Sequence, residues 1–265
     1  MEGFKSKASF SLVELMVSVG IIAVLLGIIF PAVDIIIEHS QRTKAARNLR
    51  TIALGYVNFI NDFGRPIYFD DLSTVTNSSN KPLDINLLAA LLAKYGYIKN
   101  VSVWAWDFDY LVKNYKQSKG SLPTKIYNAD SGYIDIDFAG RYSGGNFPLS
   151  IACCVIQSPH FDYTKLLSSK FPCACSRGLY SDGRWRKKSD GNTGGIWGDK
   201  GGLIVFFDGH VEWFNNIINR FTKYNSANAT TILCETLPNA HSSLPYTDSC
   251  FLNWQGNGSY GNIHK

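Results

Sequence analysis

Six cysteines are the residues best suited to chemistry in this chain of 265 residues, and all of them lie in its second half. Thiols confined in this way either form disulfides in an oxidising compartment or bind zinc. Zinc sites usually separate paired cysteines by about two to four residues, which neither the adjacent pair nor the Cys-x-Cys pair does. The sequence therefore predicts disulfides. Among the open pairings it favours bridges between these two pairs and between the last two cysteines. The six are Cys153, Cys154, Cys173, Cys175, Cys234 and Cys250.

A Gly-rich segment, residues 181–202, is the second place where chemistry is conceivable. Asp190, Asn192 and Asp199 offer the oxygen ligands that Ca²⁺ prefers, so calcium is the one cofactor that the sequence suggests, beside the simpler interpretation as a solvated turn. Enzyme motifs are absent from the sequence: it has no nucleophile elbow, no metalloprotease His pair and no phosphate-binding Gly loop. The sequence predicts a protein that is not an enzyme.

Charge and composition exclude two broad classes of protein. The chain has 26 Lys and Arg against 21 Asp and Glu, a net charge of +5, which is too small over this length to indicate a nucleic-acid partner. A hydrophobic share of 45% and a charged share of 18% exclude a disordered chain.

Apolar residues are concentrated near the N-terminus. Between Glu14 and Asp34 lie 19 uncharged residues, about 28 Å of helix and close to the thickness of a bilayer's hydrocarbon core. Lys5 and Lys7 precede this stretch, and flanking positive residues stay on the cytoplasmic side. The sequence thus predicts one membrane-spanning helix with the bulk of the chain outside the cytoplasm. Glu14 is costly inside a membrane, so it either reaches back to the headgroups or has a functional partner.

The elements that follow predict an α+β fold. Apolar residues recur every three or four positions through residue 63, which indicates a helix that continues until Gly64 and Pro66 end it. A short helix is predicted over residues 83–97, and antiparallel strands are predicted over 101–106, 125–127, 133–138 and 149–157. The expected architecture is a long N-terminal helix, half membrane-spanning and half amphipathic, packed on an antiparallel β-sheet domain. Its apolar stripe consists of Ala45, Leu49, Ile52, Tyr56, Ile60 and Phe63.

The N-terminal residues resemble the signal of type IV pilins and type II secretion pseudopilins. A short basic leader, the run Phe10-Ser-Leu-Val-Glu14 and an apolar helix containing Pro31 carry this resemblance. It implies that a prepilin peptidase cuts between Ser9 and Phe10 and methylates the new amine. It also implies that Phe10, Glu14 and Pro31 serve assembly, with the Phe10 amine of one subunit beside the Glu14 carboxylate of its neighbour. One residue departs from the family, which normally has Gly where this chain has Ser9.

A second resemblance lies near the other end of the chain. Asp208-Gly209 between two apolar runs predicts a β-hairpin, because Gly supplies the positive φ of the turn. The hairpin resembles that of the prepilin-type processing-associated family, whose signature is His, nine residues and then Asp-Gly. Gly198 stands where that His would fall, so any role of the His is lost here.

Together these features predict three segments: a leader at 1–9, a transmembrane and assembly helix at 10–62, and a globular β-rich domain at 63–265. The resemblance implies a structural subunit of a type II secretion pseudopilus or a type IV pilus-like filament. Its expected partners are other pilin-like subunits, prepilin peptidase and an inner-membrane assembly platform. The expected location is the bacterial inner membrane, with the domain in the periplasm, and then the filament.

The rival hypothesis is a membrane-anchored binding module that does not polymerise. Its aromatic side chains would stack against a glycan or another ligand. The candidate platforms are Trp185, Trp197, Trp254 and Tyr260.

Overall fold

The computed structural model describes residues 11–77, 85–139, 147–156, 172–179, 184–217 and 249–252. The chain divides into two compact units, Met1–Lys44 and Ala45–Lys265. One helix, α1, runs from Leu12 to Phe63 and contributes its first part to one unit and its second part to the other. The amphipathic half of α1 is therefore a structural part of the larger unit.

The second part of α1 buries the predicted stripe. Five of its six positions are at most 3% exposed, whereas Phe63 is 41% exposed. Phe63 differs because it is the last residue of the helix, where its ring stacks on Phe59 at a centroid distance of 4.4 Å rather than entering the core. Gly64 ends the helix as predicted: its φ is +64° and its N–H donates to the Ile60 carbonyl at 2.8 Å.

Short helices follow α1. A 3-10 helix spans Phe69–Val75, α2 spans Ile85–Lys94, α3 spans Val101–Trp104 and α4 spans Tyr110–Lys119. The helix predicted over 83–97 is thus confirmed as α2, with nine of its ten residues buried.

The strand predicted over 101–106 is wrong, because these residues form α3 and the turn after it. The Asn100 side chain accepts a hydrogen bond from the backbone N–H of Ser102 at 2.9 Å and so caps the helix. Burial of Val101 and Trp104 accounts for the apolar pattern that suggested a strand.

The strands form two antiparallel sheets. A two-stranded hairpin pairs β1, Tyr127–Asn128, with β2, Tyr133–Ile134, and both are shorter than predicted. The main sheet has the order β6-β5-β4-β3-β7. Its strands are β3 at Ile151–Ile156, β4 at Pro172–Ser176, β5 at Gly202–Phe206, β6 at Val211–Phe214 and β7 at Ser249–Leu252. The strand predicted over 149–157 is confirmed as β3.

The predicted hairpin is present at β5–β6. Val205 pairs with Val211 across the turn, and Gly209 has a φ of +85°, a conformation that favours glycine. The ring of Phe207, just after β5, meets the ring of Tyr56 on α1 edge to face at 5.5 Å. This contact joins the second part of α1 to the sheet within the larger unit.

A buried ion pair fixes the loop beside the sheet. Arg177, after β4, is 4% exposed, and its guanidinium meets the Asp109 carboxylate at 2.6 Å and donates to the Gly194 carbonyl. Burial alone would lower the pKa of the Arg177 guanidinium. The charge and hydrogen bonds of Asp109 have the larger combined effect, so the pKa is raised. Asp109 also caps α4 by accepting from the Leu111 N–H at 3.0 Å.

Candidate functional site: the N-terminal helix

Glu14 lies in the first turn of α1 and closes its N-terminus. Its Oε2 accepts a hydrogen bond from the backbone N–H of Ser11 at 3.0 Å, and Ser11 Oγ accepts from the Val13 N–H at 3.3 Å. This reciprocal arrangement is that of a capping box, whose Ser-x-x-Glu pattern was readable in the sequence. Ser11 was not among the site residues predicted from the sequence. Its backbone N–H holds the Glu14 carboxylate close to the position of Phe10 in the sequence.

The Glu14 carboxylate has no positively charged partner among the described residues. The described side chains from Ser11 to Ile37 are all exposed, so an apolar surface surrounds the carboxylate. Leu15 and Val17, for example, are 58% and 56% exposed. A carboxylate in such a setting, once lipid or other helices cover it, favours a cation beside it.

The apolar surface of this first part of α1 extends around the whole helix. The helix is long and apolar enough to cross a membrane, and its most apolar 18-residue window has no buried residue. Pro31 lies inside the helix, which continues on both sides of it. The helix is therefore consistent with a single membrane anchor.

Two other expected site residues, Ser9 and Phe10, lie outside the described residues. The cut between them stays a prediction. The structure places Ser11, the residue after Phe10, at the cap of α1, so the cut as predicted leaves the helix and its capping pair intact.

The cysteines are placed in the core of the larger unit. Cys153 on β3 and Cys173 and Cys175 on β4 are at most 1% exposed. Cys153 pairs with Ala174 across the strands, while Ala152 pairs with Cys175. Because neighbouring residues of a strand point to opposite faces, Cys153 and Cys175 lie on opposite faces of the sheet.

The expected bridges are not shown. Cys173 and Cys175 carry no disulfide in the structure, and the pairing favoured from the sequence stays a prediction. Burial raises the pKa of both thiols, that of Cys175 to about 12. Cys154 and Cys250 face Phe251 and Val155 across the β3–β7 ladder, and Cys234 lies outside the described residues.

Two of the calcium candidates, Asp190 and Asp199, lie in two short 3-10 helices. Asp190 lies in a 3-10 helix, Lys188–Thr193, and accepts a hydrogen bond from the Lys187 N–H at 3.1 Å. Asp199 is exposed in a separate 3-10 helix, Gly198–Lys200. No described group of three or more His, Cys, Asp or Glu side chains is arranged to hold a metal. Calcium at Asp190, Asn192 and Asp199 stays an untested expectation.

The aromatic platforms of the rival hypothesis are core residues where they are described. Trp185 and Trp197 are 3% and 5% exposed, and Trp197 packs against Trp106 at a centroid distance of 6.2 Å. A buried indole cannot stack on a glycan from solvent, so neither supports a binding module. Trp254 and Tyr260 lie outside the described residues.

Comparison with known proteins gives a match at the N-terminal part of the chain. The family model of the prokaryotic N-terminal methylation motif matches residues 4–30, which contain Phe10 and Glu14. No curated protein and no solved structure matches the chain. The matched stretch covers the capped start of α1 and its exposed apolar part. Residues 4–30 thus match the prokaryotic N-terminal methylation motif, and in this motif and its α+β fold the chain is similar to type IV pilin-like proteins.

Proposed function

We propose that this protein is a structural subunit of a pilin-like filament, either a type II secretion pseudopilus or a type IV pilus. The observation that carries the proposal is Glu14, a capped carboxylate without a described cationic partner on the exposed, apolar first part of α1. Such a surface requires lipid before assembly and similar helices after it. The methylation motif at residues 4–30 supports the same role.

The mechanism follows from charge pairing. After a prepilin peptidase removes residues 1–9, the amine of Phe10 becomes the positive group nearest the start of the helix. In an apolar bundle, the Glu14 carboxylate of one subunit satisfies the Phe10 amine of the next, and an unpaired charge is costly. Glu14 thereby sets the register of stacking. Inner-membrane anchoring with residues 63–265 in the periplasm places the subunit where an assembly platform can extract it.

Substitution of Glu14 tests this role. We expect Glu14→Ala and Glu14→Gln to insert and fold normally but to lose multimers, because removing one member of a buried pair costs about 3–5 kcal/mol. The measurement is crosslinking of membranes followed by detection of the multimer ladder. Asp34→Asn, a carboxylate change on the same helix, is the matched control and should leave the ladder unchanged.

Two outcomes contradict the proposal. Equal ladders for wild type and both Glu14 variants would make the carboxylate a bystander. Loss of the ladder in Asp34→Asn as well would show a general effect of charge on the helix rather than pairing with Phe10. Mass spectrometry of the mature protein supplies the companion test, because an N-terminus other than Phe10 removes the amine on which the pairing depends.

A further inference from the structure

A concave pocket of about 360 Å³ lies in the larger unit, between the end of α2 and the strand β1. Three lysines contribute to its lining: Lys94, Lys99 and Lys125. No acidic residue is among the described lining residues. The volume is within the range of pockets that hold small molecules.

The lysines bring concentrated positive charge to the pocket. All three are exposed, and no described carboxylate forms an ion pair with them. An anion that enters the pocket is attracted by all three positive charges. Nothing in the assembly role of α1 uses this pocket.

The backbone that carries the lysines is fixed before any ligand binds. Lys94 is the last residue of α2, and Tyr97, between it and Lys99, is anchored by two bonds: its N–H donates to the Leu92 carbonyl at 3.0 Å and its hydroxyl donates to Asp62. Burial and the Asp62 carboxylate raise the pKa of Tyr97 to about 12, so its hydroxyl keeps the proton that it donates.

Lys125 belongs to the second chain segment that lines the pocket. It precedes Ile126, which is 2% exposed and whose carbonyl accepts from the Asp135 N–H at 2.9 Å. A site whose charged groups lie on fixed backbone loses less conformational entropy on binding than a mobile one.

The remaining lining indicates the kind of anion. Thr124 and Tyr127 also line the pocket, and Ala93, Ile126 and Ala129 add apolar surface. A bare inorganic anion would use the lysines but not this apolar wall. We propose that the pocket binds a small organic anion that carries at least two negative charges, a function beyond filament assembly.

The test is calorimetric titration of the full-length protein in uncharged detergent micelles with citrate as the probe. We expect one citrate per chain, with affinity that falls as salt is added. Neutral trimethyl citrate should not bind, and inorganic phosphate should bind more weakly than citrate. Absence of citrate binding, equal binding of the ester, or phosphate binding as tight as citrate would each overturn the proposal.

Two triple variants of equal charge locate the site. The combined variant Lys94→Gln, Lys99→Gln and Lys125→Gln should bind citrate at least about tenfold more weakly, because it removes three charge-assisted contacts. The combined variant Lys113→Gln, Lys116→Gln and Lys119→Gln changes three exposed lysines of α4 that do not line the pocket, and its affinity should stay within about twofold of wild type.

Equal weakening in both triple variants would show that net charge, not the pocket, attracts citrate, and would refute the assignment. Thermal unfolding of each variant checks that the fold is kept. If the pocket variant unfolds, its three single substitutions decide the matter, each expected to weaken citrate binding about threefold; unchanged affinity in all three would again refute the site.

Discussion

The two parts of α1 have one continuous backbone and opposite kinds of apolar surface. From Ser11 to Ile37 every described side chain is exposed, whereas from Ala45 to Ile60 a single stripe is buried in the larger unit. A helix that is apolar all round needs an environment that surrounds it, while a striped helix needs a core on one side. The same helix is thus a domain element in one part and an exposed apolar surface in the other, the part that we propose serves assembly.

A similar contrast holds between a carboxylate of the larger unit, Asp109, and Glu14 on the first part of α1. Asp109 in the larger unit is fully buried and meets Arg177 at 2.6 Å, so its charge is satisfied within the chain. The Glu14 carboxylate accepts a hydrogen bond from the backbone N–H of Ser11 and meets no cation among the described residues. A carboxylate that is neutralised inside the chain serves folding, and one that is not can serve association.

Breaking the internal pair should have the largest effect on folding. Asp109→Asn keeps the shape of the side chain but leaves the charge of Arg177 buried without its partner, which should lower the free energy of unfolding by about 3 kcal/mol. Guanidinium denaturation of the full-length protein in micelles measures this loss. Asp130→Asn changes an exposed carboxylate of the same unit and should change stability by less than about 0.5 kcal/mol; an equal loss there would contradict the importance of the pair.

Matched leucines on the two faces of α1 test the stripe. Leu49 is fully buried and Leu54 is 60% exposed. Leu49→Ala should cost about 3 kcal/mol of unfolding free energy, because it removes buried methyl groups and leaves a cavity. Leu54→Ala should cost little, since Ala is a good helix former and no packing is lost. Similar losses in both variants would show that this part of the helix is not one-sided.

Leu25 extends the comparison to the first part of α1. It is 52% exposed, so Leu25→Ala should leave unfolding of the larger unit unchanged. A reduced multimer ladder in the crosslinking assay is the expected effect instead. Unfolding at lower denaturant in this variant would argue against the first part being an assembly surface.

The sequence predicted the parts whose signals are local. The apolar helix, its amphipathic continuation to Gly64 and the Asp208-Gly209 hairpin each have a periodicity or a turn residue that specifies them. The helix α4 was missed, although Asp109 caps its start and Gly120, at φ +83°, follows its end. Aromatic residues such as Tyr110 and Tyr115 are typical of strands, so the local composition did not indicate a helix.

The remaining features depend on residues that are distant in sequence. Arg177 and Asp109 are 68 positions apart and come together only when β4 and α4 are packed. The three pocket lysines belong to two separate segments, and nothing in either segment marks them as neighbours. The pairing of β3 with β4 places Cys153 and Cys175 on opposite faces of the sheet, which a count of cysteines cannot supply.

Substitution of a glycine in each part of α1 should also distinguish the two parts, with a smaller effect on stability. A Cβ at Gly55 would lie 2.7 Å from the Cδ1 of Ile98, whereas a Cβ at Gly27 would meet nothing within 4 Å. Gly55→Ala should therefore destabilise the larger unit by about 1 kcal/mol, because Ile98 has to move. Gly27→Ala should leave it unchanged and weaken the multimer ladder, since small residues let helices approach closely. Denaturation and crosslinking of both variants measure the difference, and the reverse pattern would contradict it.

The smallest effect concerns the thiols of β4, which should be almost inert in the native protein. Only the thiolate reacts with iodoacetamide, and at pH 8 a thiol with a pKa of about 12, as at Cys175, is ionised in about one molecule in ten thousand. Native labelling of Cys173 and Cys175 should therefore be slow and should rise with pH, while guanidinium without reductant should expose both to rapid labelling. Mass spectrometry of their peptides measures each state, with Cys175→Ala identifying the signal of its peptide. The opposite result would be that both cysteines stay unlabelled after unfolding without reductant and are labelled once reductant is added. They would then be bridged in the protein purified from cells, and the sheet would be crosslinked rather than held by packing alone.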